Sequence, residues 1–180
     1  QAVKKYKLGN PTEKSTNLGP VVRESAANYI RGQITEAIDM GACAHISPDD
    51  FDINNLGENY LAPQVLTNTN HKMSIMKDES FGPVVGIMSV ESDEQAIELM
   101  NDSEYGLTAS IWTQDEISAI NIGSQVQTGT WFMNRCDYLD PALAWCGVKN
   151  SGRGVTLSAL GYEHLTRVKS YHLKKRLVND

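Results

Sequence analysis

Apolar side chains at Ala26, Tyr29, Ile30, Ile34, Ala37 and Ile38 recur in steps of three and four residues. That is the period of an amphipathic helix, predicted over residues 22–40, and Gly41 stands where a C′ glycine would end it. Ahead of it, Ala2 to Tyr6 reads as the tail of a helix closed by the turn signal Gly9-Asn10-Pro11. A short strand is predicted at 42–46, followed by a polar, acidic surface loop at 47–59. Strands are predicted at 60–66 and at 83–90, the second rich in Val and Ile. Ser92 with Gln95 three residues on has the spacing of a capping box and opens a helix carrying Ala96, Ile97, Leu99 and Met100 inward. A strand at 107–112, a helix at 115–126 presenting Ile117, Ile120 and Ile122, and a strand at 130–133 complete the alternation. Strands and helices in this order predict an α/β fold, a mostly parallel sheet joined by right-handed crossovers and flanked by helices.

The end of the chain differs in character. Residues 135–154 form a long irregular stretch with Pro141, Trp145 and three glycines, and loops of that length are usually functional. A short helix is expected at 156–164. Residues 168–173 then alternate in the strand period, outside the core alternation, so they need a pairing partner such as another subunit.

Composition narrows the classes. At 180 residues the chain holds one domain with a real core. Its 41% hydrophobic and 21% charged residues are ordinary for a globular protein. A net charge of −6 argues against a nucleic-acid partner, which calls for a basic face. The basic cluster Lys174-Lys175-Arg176 reads as a solvated tail. No apolar run reaches the length of a bilayer span. Cys43, Cys136 and Cys146 are too scattered for a disulfide framework or a zinc pattern, so a reducing, cytoplasmic setting is the default. The four histidines are likewise too dispersed for a metal site.

Four blocks follow one another in a set order: Glu79-Ser80-Phe81-Gly82-Pro83, Tyr105-Gly106-Leu107, Gly129-Thr130-Trp131-Phe132-Met133-Asn134, and Gly147-Val148-Lys149-Asn150-Ser151-Gly152. Read singly, Glu79 is an exposed carboxylate and Phe81 a core aromatic before a turn. Asn134 ends a strand, where it either caps the strand or reaches substrate, and Trp145 is either a core aromatic or a pocket wall. Read together, the blocks resemble the C-terminal part of an aldehyde dehydrogenase, over a span from about the first residue to about Leu173.

The resemblance implies a cofactor and a set of roles. Glu79 would bind the ribose beside the nicotinamide of NAD or NADP, and Phe81 would pack near the nicotinamide ring. Asn134, Asp137, Leu139 and Trp145 would line the mouth of the pocket for a small-molecule aldehyde. Trp145 stands where many members have Phe, which should reshape the pocket. Cys146 replaces a glycine of the family motif, which puts the local backbone in question.

The family's nucleophilic cysteine and general-base glutamate are expected upstream of Gln1, so no catalytic residue is assigned within the chain, and alone it is expected to be inactive. Residues 1–154 would then belong to the catalytic domain and residues 155–180 to a tail with an oligomerisation strand, in a parent that is a homodimer or homotetramer. Two alternatives stay open. One is an acylating dehydrogenase or acyl-phosphate reductase of the same superfamily. The other is a non-catalytic assembly module.

Overall fold

A computed structural model describes residues 1–53, 55–136 and 138–175. The chain divides into two compact units, Gln1–Ser92 and Asp93–Asp180.

The first unit is built on helix α1 (Glu24–Asp39) and three strands, β1 (Cys43–Ala44), β2 (Gln64–Thr67) and β3 (Val84–Ile87), with the short helix α2 (Ser74–Lys77) between β2 and β3. β2 pairs parallel with β3 and antiparallel with β1, in the order β1-β2-β3. The predicted helix begins two residues late, at Glu24, and its buried stripe is Ala27, Ile30, Gln33 and Ala37 rather than the set read from the pattern. Tyr29 and Ile38, expected inside, are exposed. α1 does end at Gly41. With φ 101°, that residue donates to the Ile38 carbonyl, while Ala42 N–H donates to the Ala37 carbonyl. These two bonds make a Schellman motif, and Ala37 and Ala42 pack in one core cluster with Leu66, Met73 and Ile75. A second cluster joins Ala27, Ile30 and Leu61.

The strand expected at 60–66 starts only at Gln64. Gln64 is buried, and its side chain does the work of a ladder. Oε1 accepts from the backbone of His45, Ile46 and Val65, and Nε2 donates to the Ile46 carbonyl. The N-terminal helix tail is a single 3-10 turn, Val3–Lys5. Lys4 pairs with Asp50 at 2.7 Å.

The second unit contains α3 (Asp93–Asn101), β4 (Tyr105–Gly106), β5 (Thr108–Ile111), α4 (Glu116–Gly123) and β6 (Thr130–Met133), then β7 (Trp145–Cys146), β8 (Val148–Lys149), β9 (Val155–Thr156) and α5 (Ser158–Leu165). β5 and β6 pair in parallel across the α4 crossover, the arrangement expected from the pattern. Asp115 caps α4, with Oδ1 accepting from Ser118 N–H at 3.0 Å. The apolar face assigned to that helix needs correction. Ala119 is the buried residue, whereas Ile117 and Ile120 are 73% and 62% exposed. On α3, Ala96, Ile97 and Leu99 are half-buried and Met100 is exposed.

Within the stretch 135–154, the described residues of 135–144 are irregular as expected, whereas residues 145–149 depart from expectation by entering short antiparallel ladders. β7 pairs with β9 and β8 with β4, and two-residue strands of this kind leave no periodicity to read. Residues 168–173 belong to no strand, and Val168, Tyr171 and Leu173 are exposed. Among the described residues, no helix is long and apolar enough to cross a membrane.

Candidate functional site

The sequence places Glu79 and Phe81 in the turn between α2 and β3, and the structure makes that turn one wall of a cavity of about 790 Å³. The opposite wall is the segment Leu18–Arg23 and the first turns of α1, including Ser25, Ala26 and Tyr29. Phe81 is not a core residue. It is 86% exposed and has φ 49°, a left-handed conformation that a bulky residue rarely adopts. Both features cost free energy, and such strain is usually found where a surrounding scaffold and a function require it. Glu79 is exposed and, among the described residues, its carboxylate has no hydrogen bond or ion pair. A free carboxylate and a presented aromatic face on one cavity can accept two hydroxyl protons and cover a planar ring.

Gly82, which follows Phe81, packs closely on α1. A Cβ there would fall on Cδ1 of the buried Ile30. The walls contributed by Val21, Val22 and Tyr29 were not among the site residues read from the sequence. The available signal was that Val22, just ahead of α1, and Tyr29, just off its buried stripe, are apolar, a pattern that reads equally well as core.

The other predicted site residues lie in the second unit. Asn134 ends β6 with φ 55°, and its amide is spent on the backbone. Oδ1 accepts from Thr113 N–H at 3.0 Å and Nδ2 donates to the Thr113 carbonyl at 2.7 Å. The Asn134 N–H also donates to the Ile111 carbonyl, so this residue straps the ends of β5 and β6 together. Its geometry is that of the capping role. Leu139 is exposed, and Trp145 is half-buried on β7. Asp137 lies outside the described residues. Nearby, the Arg135 guanidinium stacks 3.8 Å from the centre of the Tyr138 ring.

Cys146 sits in an ordinary strand without positive φ, so the glycine it replaces is not needed for backbone freedom. The close approach here is at Gly129, where a Cβ would strike the Cys146 carbonyl. Cys146 Sγ points at the Gly129 carbonyl at 3.7 Å, and Cys43 and Cys136 are exposed. Among the described residues, no cluster of three or more His, Cys, Asp or Glu could hold a metal ion. The carboxyls of Asp50 and Asp115 are both held below their ordinary range. The Lys4 side chain lowers Asp50, and the Ser118 backbone N–H lowers Asp115.

Comparison with known proteins bears on what this arrangement serves. The sequence model of the aldehyde dehydrogenase family matches residues 1–171. An aldehyde dehydrogenase from Paenarthrobacter nicotinovorans is 33% identical over 163 residues, which is 90% of this chain and 35% of that protein. The NAD(P)+ succinate semialdehyde dehydrogenase of Escherichia coli K12 is 33% identical over 165 residues, covering 91% of this chain and 35% of its own length. Among solved structures, an aldehyde dehydrogenase of Mycobacterium tuberculosis complexed with NAD+ superposes with a TM-score of 0.82 at 33% identity, over 98% of this chain and 36% of that one. Betaine aldehyde dehydrogenase of Staphylococcus aureus in complex with NAD+ gives a TM-score of 0.80 at 32% identity, over 91% and 33%. The chain thus spans about a third of the length of the relatives it matches.

Proposed function

Because this chain belongs to the aldehyde dehydrogenase family and has its α/β catalytic-domain fold, we propose that it is the C-terminal part of an enzyme oxidising a small aldehyde to a carboxylic acid with NAD or NADP. In this reading the chain contributes the site for the nicotinamide end of the cofactor and one side of the substrate mouth. The observation that carries it is the exposed, left-handed Phe81 beside Glu79, unpartnered among the described residues, on a cavity of about 790 Å³. That volume lies within the ordinary range for small-molecule sites.

The residues present fit the group. Glu79 would accept hydrogen bonds from the two ribose hydroxyls, as acidic residues do in dinucleotide sites, and Phe81 would cover the nicotinamide ring and exclude water from it. When bound, the cofactor supplies the hydride acceptor. Asp137, Leu139 and Trp145 would shape the entry of the aldehyde, and Asn134 would hold the strand end from which that mouth begins. The resemblance assigns the nucleophile to none of the three cysteines of this chain. Thiolate addition and thioester hydrolysis therefore fall to a cysteine and a glutamate outside these 180 residues, and the isolated chain is expected to turn over no aldehyde. The presence of NAD+ in the Mycobacterium tuberculosis and Staphylococcus aureus structures, and the NAD(P)+ in the name of the Escherichia coli enzyme, support the cofactor class.

The test is Glu79→Gln in the full-length enzyme. Misplacing a reacting atom by about 1 Å can cost roughly a hundredfold, so single-turnover hydride transfer should fall by up to about that factor. Cofactor affinity, set mainly by groups elsewhere, should change far less. An unchanged hydride rate would overturn the assignment of Glu79.

A further inference from the structure

The strained turn that presents Glu79 and Phe81 needs something to hold it, and two successive residues of α1 meet its two ends. At the start of the turn, the Tyr29 hydroxyl donates to Asp78 Oδ2 at 3.3 Å. That hydroxyl in turn accepts from Gln33 Nε2, also at 3.3 Å. Gln33 is only 3% exposed and cannot swing freely, so it occupies the acceptor side of the hydroxyl and directs the phenolic proton towards Asp78. Asp78 N–H is itself fixed to the Ser74 carbonyl at the end of α2. At the other end, Gly82 lies so close to Cδ1 of Ile30 that a side chain there would displace it, and Ile30 is buried in the cluster with Ala27 and Leu61. Between these two anchors stands Phe81 at φ 49°. A backbone conformation of this kind persists only where its surroundings over-determine it.

We infer that α1 clamps the Asp78–Gly82 turn, and that Tyr29 is a positioning residue, acting through Asp78 on the presentation of Glu79 and Phe81. What the clamp serves rests on the cofactor reading above, but the clamp itself is a mechanical relation within this unit. Tyr29→Phe is the informative variant because it keeps the ring and the packing and removes only the hydroxyl.

Amide hydrogen exchange of the full-length protein without cofactor gives a readout independent of turnover. In Tyr29→Phe, the amide of Asp78, which opens the turn and donates to the Ser74 carbonyl, should exchange about three to five times faster, the ratio that one net hydrogen bond supports. The amides of β3 should be unaffected. Asp78→Ala should have the same effect, and the double variant should be no faster than either single one, because both remove one interaction. Exchange in the turn equal to wild type, or additive effects of the two substitutions, would overturn the clamp.

Cofactor titration by fluorescence separates this inference from the reading beneath it. Faster exchange in Tyr29→Phe with NAD binding and hydride transfer untouched in Glu79→Gln would uphold the clamp and remove the cofactor role of Glu79. Impaired hydride transfer in Glu79→Gln with unchanged exchange in Tyr29→Phe would uphold that role and overturn the clamp.

Discussion

Gly129 is the position where one added methyl group should do most damage, and the structure sets the size of the effect. A Cβ at residue 129 would land on the carbonyl oxygen and carbon of Cys146, with Gly147 Cα 3.2 Å away. All three are backbone atoms, so no rotamer change relieves the contact. β7 must move away, and its ladder to β9 holds only through Trp145↔Thr156 and Cys146↔Val155. Losing about two backbone hydrogen bonds costs about 1 kcal/mol each, within the range of roughly 1–3 kcal/mol for overpacking in general. Alanine recovers about 0.4–1 kcal/mol by restricting the unfolded chain. The net loss for Gly129→Ala is then about 1–2 kcal/mol, or a fall in Tm of roughly 2–8 °C for a chain of this size.

Gly32 supplies the internal control, because it lies within α1 and a Cβ there meets nothing within 4 Å. Gly32→Ala should therefore stabilise by about 0.4–1 kcal/mol. Urea unfolding followed by tryptophan fluorescence and circular dichroism measures both variants. Since Trp145 moves with β7, Gly129→Ala should also raise KM for the aldehyde in the full-length enzyme. Equal stability of Gly129→Ala and wild type, or shifts of the same sign at both glycines, would refute the argument from close approach.

Asp115→Ala should lower Tm by removing the cap of α4. The Asp115 carboxyl is held below its ordinary value by the Ser118 backbone N–H and then by the Ser118 hydroxyl. Its stabilising contribution is thus complete above that ordinary value and is lost as pH falls through the lower folded value. The difference in Tm between wild type and Asp115→Ala should accordingly vanish in acid, and a difference that stays constant from neutral pH down to about 2 would contradict this. Val168, Tyr171 and Leu173 are exposed and, among the described residues, pair with no strand; we propose that they pair across a subunit interface, so deleting residues 168–180 from the full-length protein should dissociate the assembly while leaving the circular dichroism of the core intact. Sedimentation showing an unchanged assembly would remove the tail from the interface.

What the sequence determined by itself was local. The period of α1 and its stop at Gly41, the strands at 84–87, 108–111 and 130–133, and the helices between them follow from spacing and capping chemistry acting over a few residues. The motif order pointed to the family, and the turn at Glu79 and Phe81 was legible from the same blocks.

Four features were decided only by residues far apart in the chain. Ile117 and Ile120 have the spacing of a buried face, yet β6 meets α4 at Ala119, whose carbonyl accepts from Trp131 Nε1 at 3.0 Å. Gln64 reads as a polar residue in a strand, and only its bonds to residues 45 and 46 reveal it as a buried stitch. The order within 135–154 comes from two-residue ladders to β4 and β9, which are too short for any period to appear. Phe81 reads as core on hydrophobicity alone. It stands in solvent because Gly82 is pressed onto Ile30 and the backbone before it turns left-handed, a constraint set by packing between elements some fifty residues apart.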